Sequence, residues 1–248
     1  MDEPGVFDHV VALGYNCRVA YNLRRTFGFK TAYPFDWWVT PLPALAAFLH
    51  DPSLDRLYDP ALLEPVIKGG GIHSIHNAHY RIQMEHEFPK LKNGFVRDDW
   101  IEFVNEPRTR TDYLLRRMRE IPAGSRVLFV RWTKKMERRE LGEKFEPLMR
   151  DVLHGLEQMF PAVRRSVLLV DPPVRIEAPG VMAVRIPDPI RDWKGTPELW
   201  TKALLGMGLE RAGFRPGSIL EVSPEDDHRF VQKAALIRRA RAASRAQA

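Results

Sequence analysis

Cysteine is nearly absent from this chain: Cys17 stands alone among 248 residues. A single thiol cannot build an internal disulfide framework, which points to a reducing compartment and a cytoplasmic protein. Long apolar runs are missing as well, so no membrane span is expected. The opening Met1-Asp2-Glu3-Pro4 has neither the basic stretch nor the apolar core of a secretory signal, and no export is expected. The glycine-rich phosphate loops, the G-x-S-x-G elbow and the C-x-x-C pair are all lacking, as are internal repeats. No cofactor is therefore expected.

What is present reads as an ordinary globular chain, 44% hydrophobic and 28% charged, long enough for one large domain. The net charge of +6 is unevenly placed. Arg229, Lys233, Arg238, Arg239, Arg241 and Arg245 follow one another with no acid among them. The expected organisation is a single α/β domain over 1–228 and a basic helical tail over 229–248. No aromatic interleaving or nucleic-acid motif accompanies that tail, so a solvated helix is expected rather than a nucleic-acid contact.

Hydrophobic periodicity places the elements. Val10-Val11-Ala12-Leu13 reads as a short apolar strand, and Val19, Leu23 and Phe27 share one face of a helix from Cys17 that Gly28 stops. Thr40-Pro41 opens a second helix leading into Leu45 and Phe48. Residues 51–71, broken by prolines and glycines, are expected to hold short helices and loops. Residues 79–88 alternate as a strand, with Tyr80, Ile82, Met84 and His86 on one face, and a helix follows near 112–121. Further strands are expected over 126–130, 166–170 and 181–186, with helices over 143–160 and from Thr196. Strand–helix–strand order with long connections implies a mainly parallel sheet flanked by helices, SGNH- or Rossmann-like, with an α+β papain-like arrangement as the alternative. The change of pattern near 122 suits a domain boundary, but Val10–Leu13 fits the same sheet as the later strands, so one domain is expected.

Ligands of open α/β sheets bind beyond the carboxyl ends of the strands. Those ends carry Tyr15, Asn16 and Cys17, then Arg131-Trp132, then Asp171, then Pro187-Asp188. Cys17, on a strand-to-helix turn, suits a nucleophile, because the thiolate is the reactive form and a helix N-terminus favours it. A small buried hydrophobe is the alternative. A cysteine nucleophile needs a base and the base an orienting acid. His86 is the candidate base and Asp36, held among Pro34, Phe35, Trp37 and Trp38, the candidate acid. Their alternatives are a structural histidine and a turn acid. His73, His76 and His79 invite a zinc reading, but i and i+3 lie on opposite faces of a strand, and no metal site is expected. The arginine pairs Arg24-Arg25 and Arg116-Arg117 suit an anion or a solvated helix face.

Leu13-Gly14-Tyr15-Asn16-Cys17, Ala20, Leu23-Arg24-Arg25 and Tyr33-Pro34-Phe35-Asp36-Trp37 together resemble a bacterial family of unknown function described as papain-like cysteine peptidases. His86-Glu87-Phe88 resembles that family's His-acid-Phe block, and Tyr113, Arg116-Arg117 and Val127–Arg131 its later section. The resemblance implies Cys17 as nucleophile and His86 as base. Asp36 as third member is inferred from its own motif, and Asn16 with the Cys17 N–H is expected to serve an oxyanion. A cysteine just after the first strand is also similar to the SGNH hydrolases, with cysteine where their serine stands. The function expected is a cysteine-dependent hydrolase or acyltransferase acting on a peptide, glycan or other small-molecule substrate, with Tyr15, Trp37, Arg131 and Asp171 contacting it. The competing expectation is a sugar- or nucleotide-binding module without covalent chemistry.

Overall fold

A computed structural model describes residues 5–187 and 193–213. It is mixed α/β, with one parallel and one antiparallel four-stranded sheet. The parallel sheet has the order β2 (His9–Ala12), β7 (Arg126–Trp132), β8 (Arg164–Val170), β9 (Val181–Val184). β2 pairs with β7 in parallel register, His9 against Val127 and Ala12 against Val130. Residues on either side of position 122 therefore share one sheet. A short parallel pair, β1 (Val6–Phe7) with β10 (Glu210–Arg211), lies beside it.

Alternation along these strands sorts the core into two layers. Val11, Leu13, Val127, Phe129, Val167 and Leu169 face one side, packed with α2 (Leu42–His50), α4 (Asn105–Arg119) and α6 (Phe145–Met159). Val10, Ala12, Leu128, Val130, Leu168 and Val170 face the other, packed with α1 (Cys17–Phe27) and α7 (Pro197–Gly206). Burial on both faces explains why these strands are continuous apolar runs. Helix α1 has the bounds its periodicity predicts. Asn16 caps its start, accepting the Arg18 N–H at 3.2 Å, and Gly28 ends it at φ 62°.

The antiparallel sheet departs from expectation. Its order is β3 (Trp38–Val39), β6 (Ile82–Met84), β5 (Gly71–Asn77), β4 (Leu63–Lys68). Part of the 51–71 stretch expected as helices and loops is thus an edge strand, β4. Only Leu63 of its six residues is buried, so it carries no apolar period, and Pro65 is tolerated at an edge. Besides β4 the stretch holds the short α3 (Leu54–Leu57) and a 3₁₀ turn at Pro60–Leu62. The expected strand over 79–88 shrinks to Ile82–Met84. A tight turn precedes it, in which the Asn77 side chain accepts the Tyr80 N–H at 2.7 Å and Arg81 takes φ 61°. Tyr80, Ile82 and Met84 are buried as expected, but His86 lies beyond the strand. An additional helix, α5 (Lys135–Leu141), follows β7. The proposed basic tail over 229–248, like Asp188, lies outside the described residues. Among those described, no helix is long and apolar enough to cross a membrane.

Candidate functional site

The turn from β2 into α1 is held on both sides by backbone hydrogen bonds. Leu13 N–H donates to Val130 O at 2.8 Å and Trp132 N–H to Gly14 O at 2.9 Å, while Thr40 N–H donates to Tyr15 O at 2.8 Å. The peptide between Gly14 and Tyr15 is cis. Gly14 has φ 81°, and a Cβ there would lie 2.9 Å from Thr40 Oγ1 and 3.3 Å from Arg131 Nη1. Only glycine fits that turn without strain. Cys17 is the first residue of α1 at the carboxyl edge of the parallel sheet, 8% exposed. Asn16 directs its side-chain oxygen into the helix end, so that oxygen acts as a cap.

Tyr15 packs its ring against three neighbours. The Lys134 ammonium stands 5.1 Å and the Arg131 guanidinium 5.8 Å from its centroid, with Trp132 edge-on at 6.4 Å. Burial raises the Tyr15 phenol pKa, and Glu137, Glu140 and Glu85 push it the same way against Arg131.

Arg131 corrects an expectation. It was expected to meet substrate, yet it is completely buried and donates to Glu137 Oε1 at 2.6 Å. Glu137 also accepts the Leu42 N–H at 2.5 Å, tying α5, β7 and the start of α2 together. Burial lowers the Arg131 pKa, opposed by the Glu137 carboxylate. Asp171 likewise serves the fold. Its Oδ1 accepts the Ile186 N–H at 2.9 Å and its Oδ2 the Trp132 indole N–H at 3.3 Å, at a left-handed φ of 55°. Both side chains are thus engaged within the fold, although Arg131 Nε and Nη1 have no hydrogen-bond partner among the described residues.

Asp36 is a second correction. It sits in a 3₁₀ turn, Pro34–Asp36, and its Oδ2 accepts both the Tyr33 N–H at 2.9 Å and Arg24 Nη2 at 2.5 Å. Burial raises its pKa to about 6, against the pull of Arg24. The carboxylate therefore steadies its own turn and Arg24. The Arg24 guanidinium lies 5.3 Å over the Trp37 ring, and Trp37 meets His86 edge-on at 5.8 Å. Trp37 thus bridges α1 and the segment after β6.

The remaining candidates scatter. His73 Nε2 lies 3.6 Å from Glu85, His76 Nδ1 lies 3.8 Å from Glu64, and His79 packs edge-on against Tyr80. Among the described residues no three His, Cys, Asp or Glu side chains form a group able to hold a metal ion. Arg25 pairs with Glu198 and Arg116 with Asp112, while Arg117 donates to the Ala32 carbonyl. Glu85 has no role in the sequence reading; its one sequence signal is that it directly precedes His86, and only the antiparallel pairing of β5 with β6 brings His73 beside it.

No family model, curated protein or solved structure matches this chain.

Proposed function

We propose that this protein is a cysteine-dependent hydrolase or acyltransferase working through a thioester on Cys17, with His86 as its proton acceptor. The observation that carries the reading is the placement of Cys17 as first residue of α1, directly beyond β2 at the carboxyl edge of the parallel sheet. A thiolate there lies at the positive end of the helix dipole. The resemblance of the Cys17, Pro34–Trp37 and His86–Phe88 segments to papain-like cysteine peptidases supports the same assignment.

In this reading the thiol proton passes to His86, and Sγ attacks a carbonyl carbon. The oxyanion is met by the Cys17 N–H. Collapse breaks the bond to the leaving amine or alcohol, which takes the proton from the imidazolium. Water, or an acceptor hydroxyl or amine, then attacks the thioester with His86 as base and frees Sγ. Peptide, amide and acylated sugar substrates all fit that chemistry.

The test is the rate of Cys17 alkylation by iodoacetamide across pH, in the wild type and in His86→Ala. A fast reaction that persists below pH 7 and is lost in His86→Ala is expected. An ordinary thiol profile, identical in both proteins, would refute the reading and leave a binding module.

A further inference from the structure

His86 belongs to a cluster with His73 and Glu85, neither of which has a role so far; the side chains of His73, Glu85 and His86 are exposed by 15%, 27% and 19%. Glu85 lies between the two imidazoles. Its Oε1 is 3.6 Å from His73 Nε2, and its Oε2 is 4.0 Å from His86 Nε2. Gln83 Nε2 lies 3.5 Å from the same Oε1 and donates to Ser74 Oγ at 2.8 Å, which ties β6 side chains to β5.

This convergence follows from strand register. Ile75 pairs with Met84 and His76 with Gln83. Continuing the antiparallel count by two residues sets His73 across from His86, with Glu85 between them in sequence and space. On the other side Trp38 pairs with Met84, which brings Trp37 to the same end and explains its ring contact with His86. Glu85 also acts electrostatically on the Tyr15 phenol, so its charge is felt at the turn that carries Cys17. Asp36 is occupied by Arg24 and Tyr33.

We propose that Glu85 is the positioning carboxylate of His86, shared with His73, and that it holds the imidazolium form of His86 in the Cys17 site. The proposal rests on the cysteine–histidine reading above. Near His86 stand Glu85 on its own segment, His73 on β5 beyond the same carboxylate, and Arg24 on α1 across the Trp37 ring. Glu85 is an anion, so its removal has a definite sign: the imidazolium form of His86 loses a stabilising charge. An opposite charge at this range shifts a titration by about one unit.

The test is a ring-proton NMR titration of the histidines in the full chain, with Cys17 alkylation measured on the same samples. In Glu85→Gln the His86 midpoint is expected to fall by about one unit. Alkylation at pH 6 should fall about tenfold while the rate at pH 9 is kept. Glu85→Asp should recover part of both. Glu64→Gln removes a similar contact from His76 on the same sheet and should leave His86 unmoved. A His86 midpoint unchanged in Glu85→Gln overturns the proposal while leaving the cysteine–histidine reading intact. A midpoint that moves, with alkylation indifferent to His86→Ala, defeats that reading and the proposal with it.

Discussion

Removing Glu137 should cost this protein a large part of its stability. The Arg131 guanidinium is wholly buried, and the Glu137 carboxylate, 4% exposed, is its salt-bridge partner at 2.6 Å. In Glu137→Ala the guanidinium keeps its charge and loses its counter-ion. Leu42 N–H, which donates to the same oxygen, loses its acceptor. Breaking a buried ion pair by deleting one member costs about 3–5 kcal/mol, because an uncompensated charge stays behind. For a chain of this size each kcal/mol lowers the melting temperature by about 2–4 °C, so a fall of roughly 10 °C is expected. Calorimetry or a urea melt followed by circular dichroism reads it directly. The double variant Arg131→Met/Glu137→Leu should be more stable than Glu137→Leu alone, because it removes both charges together. If Glu137→Ala costs less than about 1 kcal/mol, or the double variant is the worse, the buried-pair argument is wrong. The experiment also separates two roles for Arg131: a substrate-binding arginine would change affinity on substitution and leave the melting temperature nearly alone.

Two further outcomes can be checked on stability alone. The Asp36 carboxyl has its pKa raised to about 6 from the ordinary 3.8 by burial, so the folded protein binds that proton more tightly than the unfolded chain does. The stability it contributes is complete below about pH 4 and lost as pH rises through 6, up to about 3 kcal/mol. Urea melts of Asp36→Asn should lack this decline, and parallel pH curves for the two proteins would contradict the assignment. Gly14→Ala should destabilise by about 2 kcal/mol, from the left-handed φ and the approach to Thr40 and Arg131, and a melting temperature matching the wild type would show that the turn relaxes freely.

Much of the parallel sheet and its helices was legible in the sequence because their signals are local. Val127–Val130 and Val167–Val170 are short apolar runs, and α1 announces itself through Val19, Leu23 and Phe27 between an asparagine cap and a glycine stop. The position of Cys17 at the strand-to-helix turn came from the same signals. The antiparallel sheet was largely hidden, since β4 buries one side chain and the Asn77–Arg81 turn interrupts a pattern that reads as continuous alternation.

Charged side chains were the least legible part. Arg131 and Asp171 stand at strand ends where a ligand would sit, and their sequence neighbourhoods do not distinguish an inward from an outward charge. Asp36 meets Arg24, twelve residues earlier on α1, and Glu85 meets His73 across a strand pair. The sequence by itself determined which segments become the parallel strands and the main helices, because periodicity of burial is written along a few consecutive residues. Tertiary structure alone decided which carboxylate answers which cation or imidazole, because that choice depends on strand register and helix placement between residues far apart in the chain, and a register slip of one residue along β5 would turn His73 to the opposite face.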